Sequence, residues 1–280
     1  MNDRLTYRKW VGVLLGFLLN GSAHFLSGAR AAGAKWYFSI VVCGYLSLGI
    51  MAIPGIATYV FSILLLVIGL VLWFIMLKQS YRPVPHIRFL GWVGIVIVNF
   101  GLSSAWTYAV RTVVRPFSVP TGTMSPTIMP GDHLLVEKVT FRIGNPKRGD
   151  IVVFKTAGIA SLPQNAYFVK RIAGVPGDKV RIDPPNLIVN DQIVSNPAIF
   201  RKIASAQIPF AGFQLAHGGL LKKSTDEVVL EKDQYFVLGD NSRTSLDSRY
   251  WGPVPQKNIV GRATRIYWPL NRIYQSFERE

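Results

Sequence analysis

Ser62-Ile63-Leu64-Leu65-Leu66-Val67-Ile68-Gly69-Leu70-Val71-Leu72-Trp73-Phe74-Ile75-Met76 carries no charge and offers no polar face. A helix buried in a soluble domain keeps a polar stripe toward water, and this stretch has nowhere to put one. Extended outward to about Ile56 and Leu77, the run approaches the roughly 20 apolar residues that cross a hydrocarbon core. Two neighbours share its texture, from about Trp36 to Ile53 and from about Phe89 to Val110. The segment from Trp10 to Leu26 is shorter and is interrupted by Asn20, Ser22 and His24. Residues 1–115 are therefore expected to form an α-helical, multi-span membrane region, with 10–26 re-entrant or interfacial.

Charge supports that reading. The net charge is +16 over 280 residues. Residues 1–115 hold ten Lys/Arg against Asp3, giving +9, and residues 116–280 hold twenty-one against fourteen acids, giving +7. In the first part the bases flank apolar runs, where a chain facing anionic lipid places them. In the second they are scattered, with no aromatic-interleaved basic stripe and no nucleic-acid module, so membrane lipid is an expected partner and nucleic acid is not. Lys78, Arg82 and Arg88 between the second and third spans, and Arg30 and Lys35 before the first, belong on the cytoplasmic side. The loop near Pro54 has no base and belongs outside. The end of the third span and everything after it then lie outside the cell. Arg4, Arg8 and Lys9 keep the N-terminus inside, and no small-residue cleavage site follows it, so it is expected to be retained.

Gly21-Ser22-Ala23-His24-Phe25-Leu26-Ser27-Gly28 loosely resembles small-residue hairpins of multi-pass membrane modules, where glycine permits close helix approach. His24 has no second ligand beside it and is expected to pack rather than bind metal. Cys43 is the only cysteine, which excludes an internal disulfide and Cys/His metal spacing.

From Arg115 the texture changes to short β-rich runs punctuated by turns. Strands are expected at His133–Lys138, Asp150–Phe154, Tyr167–Ile172, Leu187–Val194 and Gln234–Leu238, with a tight hairpin at Val189-Asn190-Asp191-Gln192. Regular short strands with few helical patterns predict a mainly β domain over residues 116–280.

Three islands in that domain carry chemistry. In Pro120-Thr121-Gly122-Thr123-Met124-Ser125-Pro126-Thr127, followed by Gly131-Asp132, prolines, glycine and hydroxyls make a rigid loop that suits a nucleophile beside an oxyanion hole. Tyr167-Phe168-Val169-Lys170-Arg171-Ile172-Ala173-Gly174-Val175-Pro176-Gly177-Asp178 places Lys170 in an apolar strand, on one face with Phe168 and Ile172. Burial disfavours the ammonium and lowers a lysine pKa, as a general base near neutral pH requires. Gly239-Asp240-Asn241-Ser242-Arg243-Thr244-Ser245-Leu246-Asp247-Ser248-Arg249-Tyr250-Trp251-Gly252 reads as a hydrogen-bonded scaffold in which Asp247 and Arg249 can pair and Ser245 can orient a neutral amine.

In this order and spacing, together with Arg148-Gly149-Asp150-Ile151-Val152-Val153-Phe154, the islands resemble the boxes of bacterial type I signal peptidases, the Ser/Lys-dyad membrane endopeptidases. The resemblance covers about Phe117 to Trp268. It implies a mostly β, two-part extracytoplasmic catalytic domain with an apolar surface against the membrane. It also implies Thr123 at the nucleophile position, Lys170 as base, and an oxyanion hole from the Thr121 hydroxyl and the Thr123 N–H. Ser245 falls where the family orients its lysine, and Asp240, Asp247, Arg249 and Arg171 fall on structural polar positions. The implied substrates are signal peptides of exported preproteins, with no cofactor and no metal. One departure stands out: the family nucleophile is normally serine, and here it is threonine. Ser125 and Ser118 are nearby hydroxyls, and strand or loop direction aims Ser125 away from Lys170. His133 and His217 sit in no motif and are expected at the surface. The competing expectations are a catalytically weak or inactive homologue that binds signal-peptide-like segments, and a self-cleaving repressor, which lacks support because membrane spans occupy the place of a DNA-binding module.

Overall fold

A computed structural model describes residues 2–51, 56–84, 93, 97, 100, 101, 104, 105, 108, 111–273 and 277. The chain divides into two compact units, Met1–Arg111 and Thr112–Glu280. The division falls four residues before the expected 115/116 boundary, because the first strand, β1 (Val114–Ser118), belongs wholly to the second unit.

In the first unit, α1 (Asn2–Leu18) and α2 (Ser22–Leu26) are followed by α3 (Arg30–Met51) and α4 (Ile56–Gln79). The segment 10–26 thus holds the end of α1 and the whole of α2. Gly21 breaks it at φ 79°, a left-handed conformation that glycine adopts without steric cost. The Ser22 hydroxyl ties the turn down by donating to the Leu15 carbonyl at 2.6 Å. The expected close approach of glycine occurs at Gly21, where a Cβ would collide with the backbone of Gly33 on α3. At Gly28 a Cβ would meet open space. His24 is buried and packs 6.3 Å from the Trp36 ring.

α4 contains the deciding stretch, and most of its large side chains from Phe61 to Ile75 are exposed, while Ser62, Gly69 and Met76 are buried along one face. Among the described residues it alone is long and apolar enough, over Val60–Gln79, to cross a membrane. The first expected span overlaps α3 from Trp36 to Met51, and α3 starts earlier, taking in Arg30 and Lys35. Ile53 and the loop near Pro54 lie outside the described residues, as does most of the third expected span. α3 and α4 are joined by a buried polar pair, with Ser47 and Ser62 each donating to the other's carbonyl at 3.0 and 2.6 Å. Such pairs join helices whose apolar surfaces have no preference for one another over lipid.

The second unit is mainly β. Its seven-stranded sheet runs β1-β2-β11-β3-β4-β9-β10, and a smaller sheet runs β7-β6-β5-β8. The strands are β2 (His133–Glu137), β3 (Ile151–Lys155), β4 (Tyr167–Gly174), β5 (Lys179–Asp183), β6 (Asn186–Val189), β7 (Gln192–Ile193), β8 (Val228–Val229), β9 (Gln234–Leu238), β10 (Val254–Pro255) and β11 (Ile259–Trp268). Every pairing is antiparallel.

β3 explains how the large sheet is covered. Ile151 and Val153 enter one core with Met124, Ile128, Leu134 and Ile266, while Val152 and Phe154 enter another with Ile172, Tyr235 and Val237. A strand buried on both faces reads as an unbroken apolar run, as Ile151-Val152-Val153-Phe154 does. A third core joins Ala173, Phe236 and Leu238 of the large sheet to Val180, Ile182 and Leu187 of the small one. The helix Ala198–Ala204 adds Phe200 and Ile203 to it. The expected hairpin closes with Asn190 at φ 51° and Asp191 at φ 61°, the paired left-handed residues of a type I′ turn.

Candidate active site

The hydroxyl-rich loop leaves β1 and returns into β2, so its ends are set by the pairing Ser118↔His133. Val119 donates to the Asp132 carbonyl at 2.9 Å and Gly131 to the Val119 carbonyl at 2.8 Å. Between these closures Met124 and Ile128 are fully buried and anchor the loop in the core. Thr123, next to the Met124 anchor, is half-buried, and Thr121 is exposed.

Lys170 comes from β4, opposite Val152 of β3. It lies on the side of Phe168 as alternation requires, with Nζ 5.7 Å from that ring, and only 3% of it is exposed. Lys170 Nζ is 2.9 Å from Thr123 Oγ1. Burial lowers the lysine pKa to about 8, against the pull of Asp247 and Asp240, which favour the cation, while Arg249 adds to the lowering.

The acids are held by arginines. Strand pairing sets Arg171 opposite Leu238, so the residues just after β9 come alongside it. Arg171 grips Asp240 with Nε–Oδ1 at 2.8 Å and Nη2–Oδ2 at 2.6 Å, and its Nη1 donates to the Gly149 carbonyl at 2.8 Å. Thr127 adds a hydroxyl donor to Asp240 at 2.5 Å, tying the first island to the third. Asp247 and Arg249 form the second buried pair, with Arg249 also donating to Gln214, Ser242 and Ser245.

Thr123 with Lys170, Arg171 with Asp240, and Asp247 with Arg249 therefore form three contact groups, and Thr127 and Gly149 join the second although the sequence reading assigned neither a role. Ser245 differs from expectation. Among the described residues its buried Oγ has no hydrogen-bond partner, Lys170 included, and it packs where a Cβ on Gly239 would stand. Asn241, quoted within the third island without a role, donates through its backbone to the Thr123 carbonyl and through its side chain to that of Gly122. Ser125 Oγ makes only a 3.5 Å contact with the Ile128 carbonyl. His217 is exposed, but His133 is not a free surface residue: its ring is half-buried against Tyr267, 5.7 Å between centroids. Among the described residues no group of three His, Cys, Asp or Glu could hold a metal ion.

A hydroxyl in contact with a buried amine of lowered basicity, framed by fixed carboxylates, is the arrangement of a hydroxyl/lysine hydrolase. The family model described as signal peptidase, peptidase S26 matches residues 90–268, and the chain belongs to that family. Among its relatives, a protein of Synechocystis named "Probable signal peptidase I-2" is 36% identical over 55% of this chain and 63% of its own length. Signal peptidase I of Leptolyngbya laminosa is 33% identical over 63% of this chain and 80% of its own. Signal peptidase IB of Staphylococcus aureus is 30% identical over 61% and 86%. The second unit is thus a mainly β catalytic domain of the signal-peptidase kind.

Proposed function

We propose that this protein removes N-terminal signal peptides from exported preproteins, with Thr123 as nucleophile and Lys170 as general base. The observation that carries the reading is the 2.9 Å contact of Lys170 Nζ with Thr123 Oγ1, at a lysine whose pKa burial lowers to about 8. Neutral Lys170 takes the Thr123 proton as Oγ1 attacks the scissile carbonyl. The resulting ammonium returns that proton to the leaving amine as the C–N bond breaks. Lys170 then deprotonates the water that releases the acyl group from Thr123. The Thr123 N–H and the Thr121 hydroxyl are assigned to the oxyanion, and Ser245 to the lysine once substrate tightens the site.

The membrane anchor is assigned as multi-pass in the bacterial plasma membrane, with the second unit on the extracytoplasmic side. Its support is the length of α3 and α4, 22 and 24 residues, and the bases flanking them. Protease shaving of intact cells tests the orientation: an exposed N-terminus contradicts it.

Cleavage of a preprotein by purified wild type is to be compared with Thr123→Ala, Thr123→Ser, Ser125→Ala and Lys170→Ala. Activity lost in Thr123→Ala and Lys170→Ala and kept in Ser125→Ala is the expected result. Activity surviving Thr123→Ala would sink the nucleophile assignment.

A further inference from the structure

Resting on the assignment of Thr123 as nucleophile and oxyanion donor, we propose that Asn241 is a positioning residue that aims the Thr123 N–H at the oxyanion. Asn241 holds both carbonyls that flank Thr123. Its backbone N–H donates to the Thr123 carbonyl at 3.1 Å, and its side-chain Nδ2 donates to the Gly122 carbonyl at 3.2 Å. A carbonyl only accepts, so the amide must turn its NH2 toward Gly122.

The peptide unit joining Gly122 to Thr123 is planar, and in the trans form its C=O and N–H point in opposite directions. A donor fixed on the Gly122 oxygen therefore fixes where the Thr123 N–H points. The Ser125 N–H reaches the same oxygen at 3.1 Å, so the plane is held from two directions, one of them from the distant third island. Among the described residues the Thr123 N–H itself has no hydrogen-bond acceptor, which leaves it available to a developing negative charge. Oxyanion donors work because they are aligned before the charge forms, and a donor that must reorient during the reaction loses that advantage. Asn241 is separate from the base: Lys170 contacts Thr123 Oγ1, on the other side of the residue's chemistry.

The test is steady-state cleavage of a preprotein by the full-length protein in detergent, for wild type, Asn241→Ala, Asn241→Asp and Asn258→Ala. Asn258 is a matched control, since its Nδ2 also clamps two carbonyls, those of Lys155 and Ala157, outside this site. Removing an oxyanion donor costs about 10²–10³-fold, and misaiming one should cost about 10- to 100-fold in kcat. Asn241→Ala should show that loss with KM within about twofold and with the pH midpoint of wild type, because Lys170 keeps its burial. Asn241→Asp, which sets an acceptor against the Gly122 oxygen, should lose at least as much. Asn258→Ala should keep wild-type kcat. Wild-type kcat in Asn241→Ala would overturn the proposal, as would a loss accompanied by a displaced pH midpoint or carried mainly by KM. Failure of the underlying assignment looks different: activity would survive Thr123→Ala.

Discussion

Asp247 and Arg249, two residues apart, close a two-point ion pair inside the protein, with Nε–Oδ1 at 2.7 Å and Nη2–Oδ2 at 2.9 Å. Neither side chain is more than 1% exposed. The same carboxylate caps the short helix Ser248–Trp251 and accepts from the Gly239 N–H at 3.0 Å. Arg249→Ala should therefore destabilise the catalytic unit by roughly 3–5 kcal/mol, the cost of a buried charge stripped of its partner. Arg249→Lys should rescue little, because an ammonium cannot reproduce the planar fork. Denaturant midpoints followed by tryptophan fluorescence check both; a change below about 1 kcal/mol in Arg249→Ala would refute the role.

Lys170 should set the pH dependence of cleavage. A general base works when neutral, and burial places this amine's pKa at about 8. Below that value kcat/KM should rise about tenfold per pH unit, then level off above it. A pH–rate profile with Thr123 intact checks this. A flat profile between pH 6 and 9 would rule out Lys170 as the base.

The same burial makes Lys170 a cost to stability. Its pKa is about 8 folded and 10.5 unfolded, so below about 8 both states carry the proton and the penalty is full, roughly 3 kcal/mol. As pH rises from about 8 to 10.5 the unfolded chain holds the proton longer, and the wild type gains stability relative to a variant without the amine. Lys170→Met should thus be more stable than wild type at pH 7, by less than the full penalty because the contact with Thr123, worth about 1 kcal/mol, is lost. Its advantage should shrink above pH 8. Thermal melts of both proteins at pH 7 and pH 10 decide it, and a variant less stable at pH 7 would contradict the argument.

Gly239 marks the tightest packing at the site. A Cβ there would collide with Ser245 Oγ and with the Thr123 carbonyl. Gly239→Ala should push the nucleophile loop and lower kcat by about a hundredfold, the expected effect of a roughly 1 Å misplacement. Cleavage assays alongside circular dichroism separate this from unfolding; near-normal kcat would show that the loop yields freely.

Local order in the sequence determined a good part of this protein. The continuous apolar run at 62–76 has no polar face in any helical register, and it became α4. Strand β9 occupies Gln234–Leu238, the short apolar run expected to be a strand, and Asn190-Asp191 closes the β6–β7 hairpin because those side chains tolerate positive φ. The apolar strand around Lys170 marked it as a candidate base, and the family resemblance implied Thr123 as its partner. What the sequence could not carry were relationships between residues far apart in the chain. The Lys170–Thr123 contact spans 47 residues, Thr127–Asp240 spans 113 and Asn241–Gly122 spans 119. Each depends on which strands pair and in what register, with Arg171↔Leu238 carrying the third island to the second. Ser245 shows the same limit, since the resemblance implies a lysine partner, while its packing against Gly239 comes only from the assembled site. Propensity and alternation act over a few residues, whereas a hydrogen bond needs its two atoms within about 3 Å, and only the assembled sheet supplies that distance.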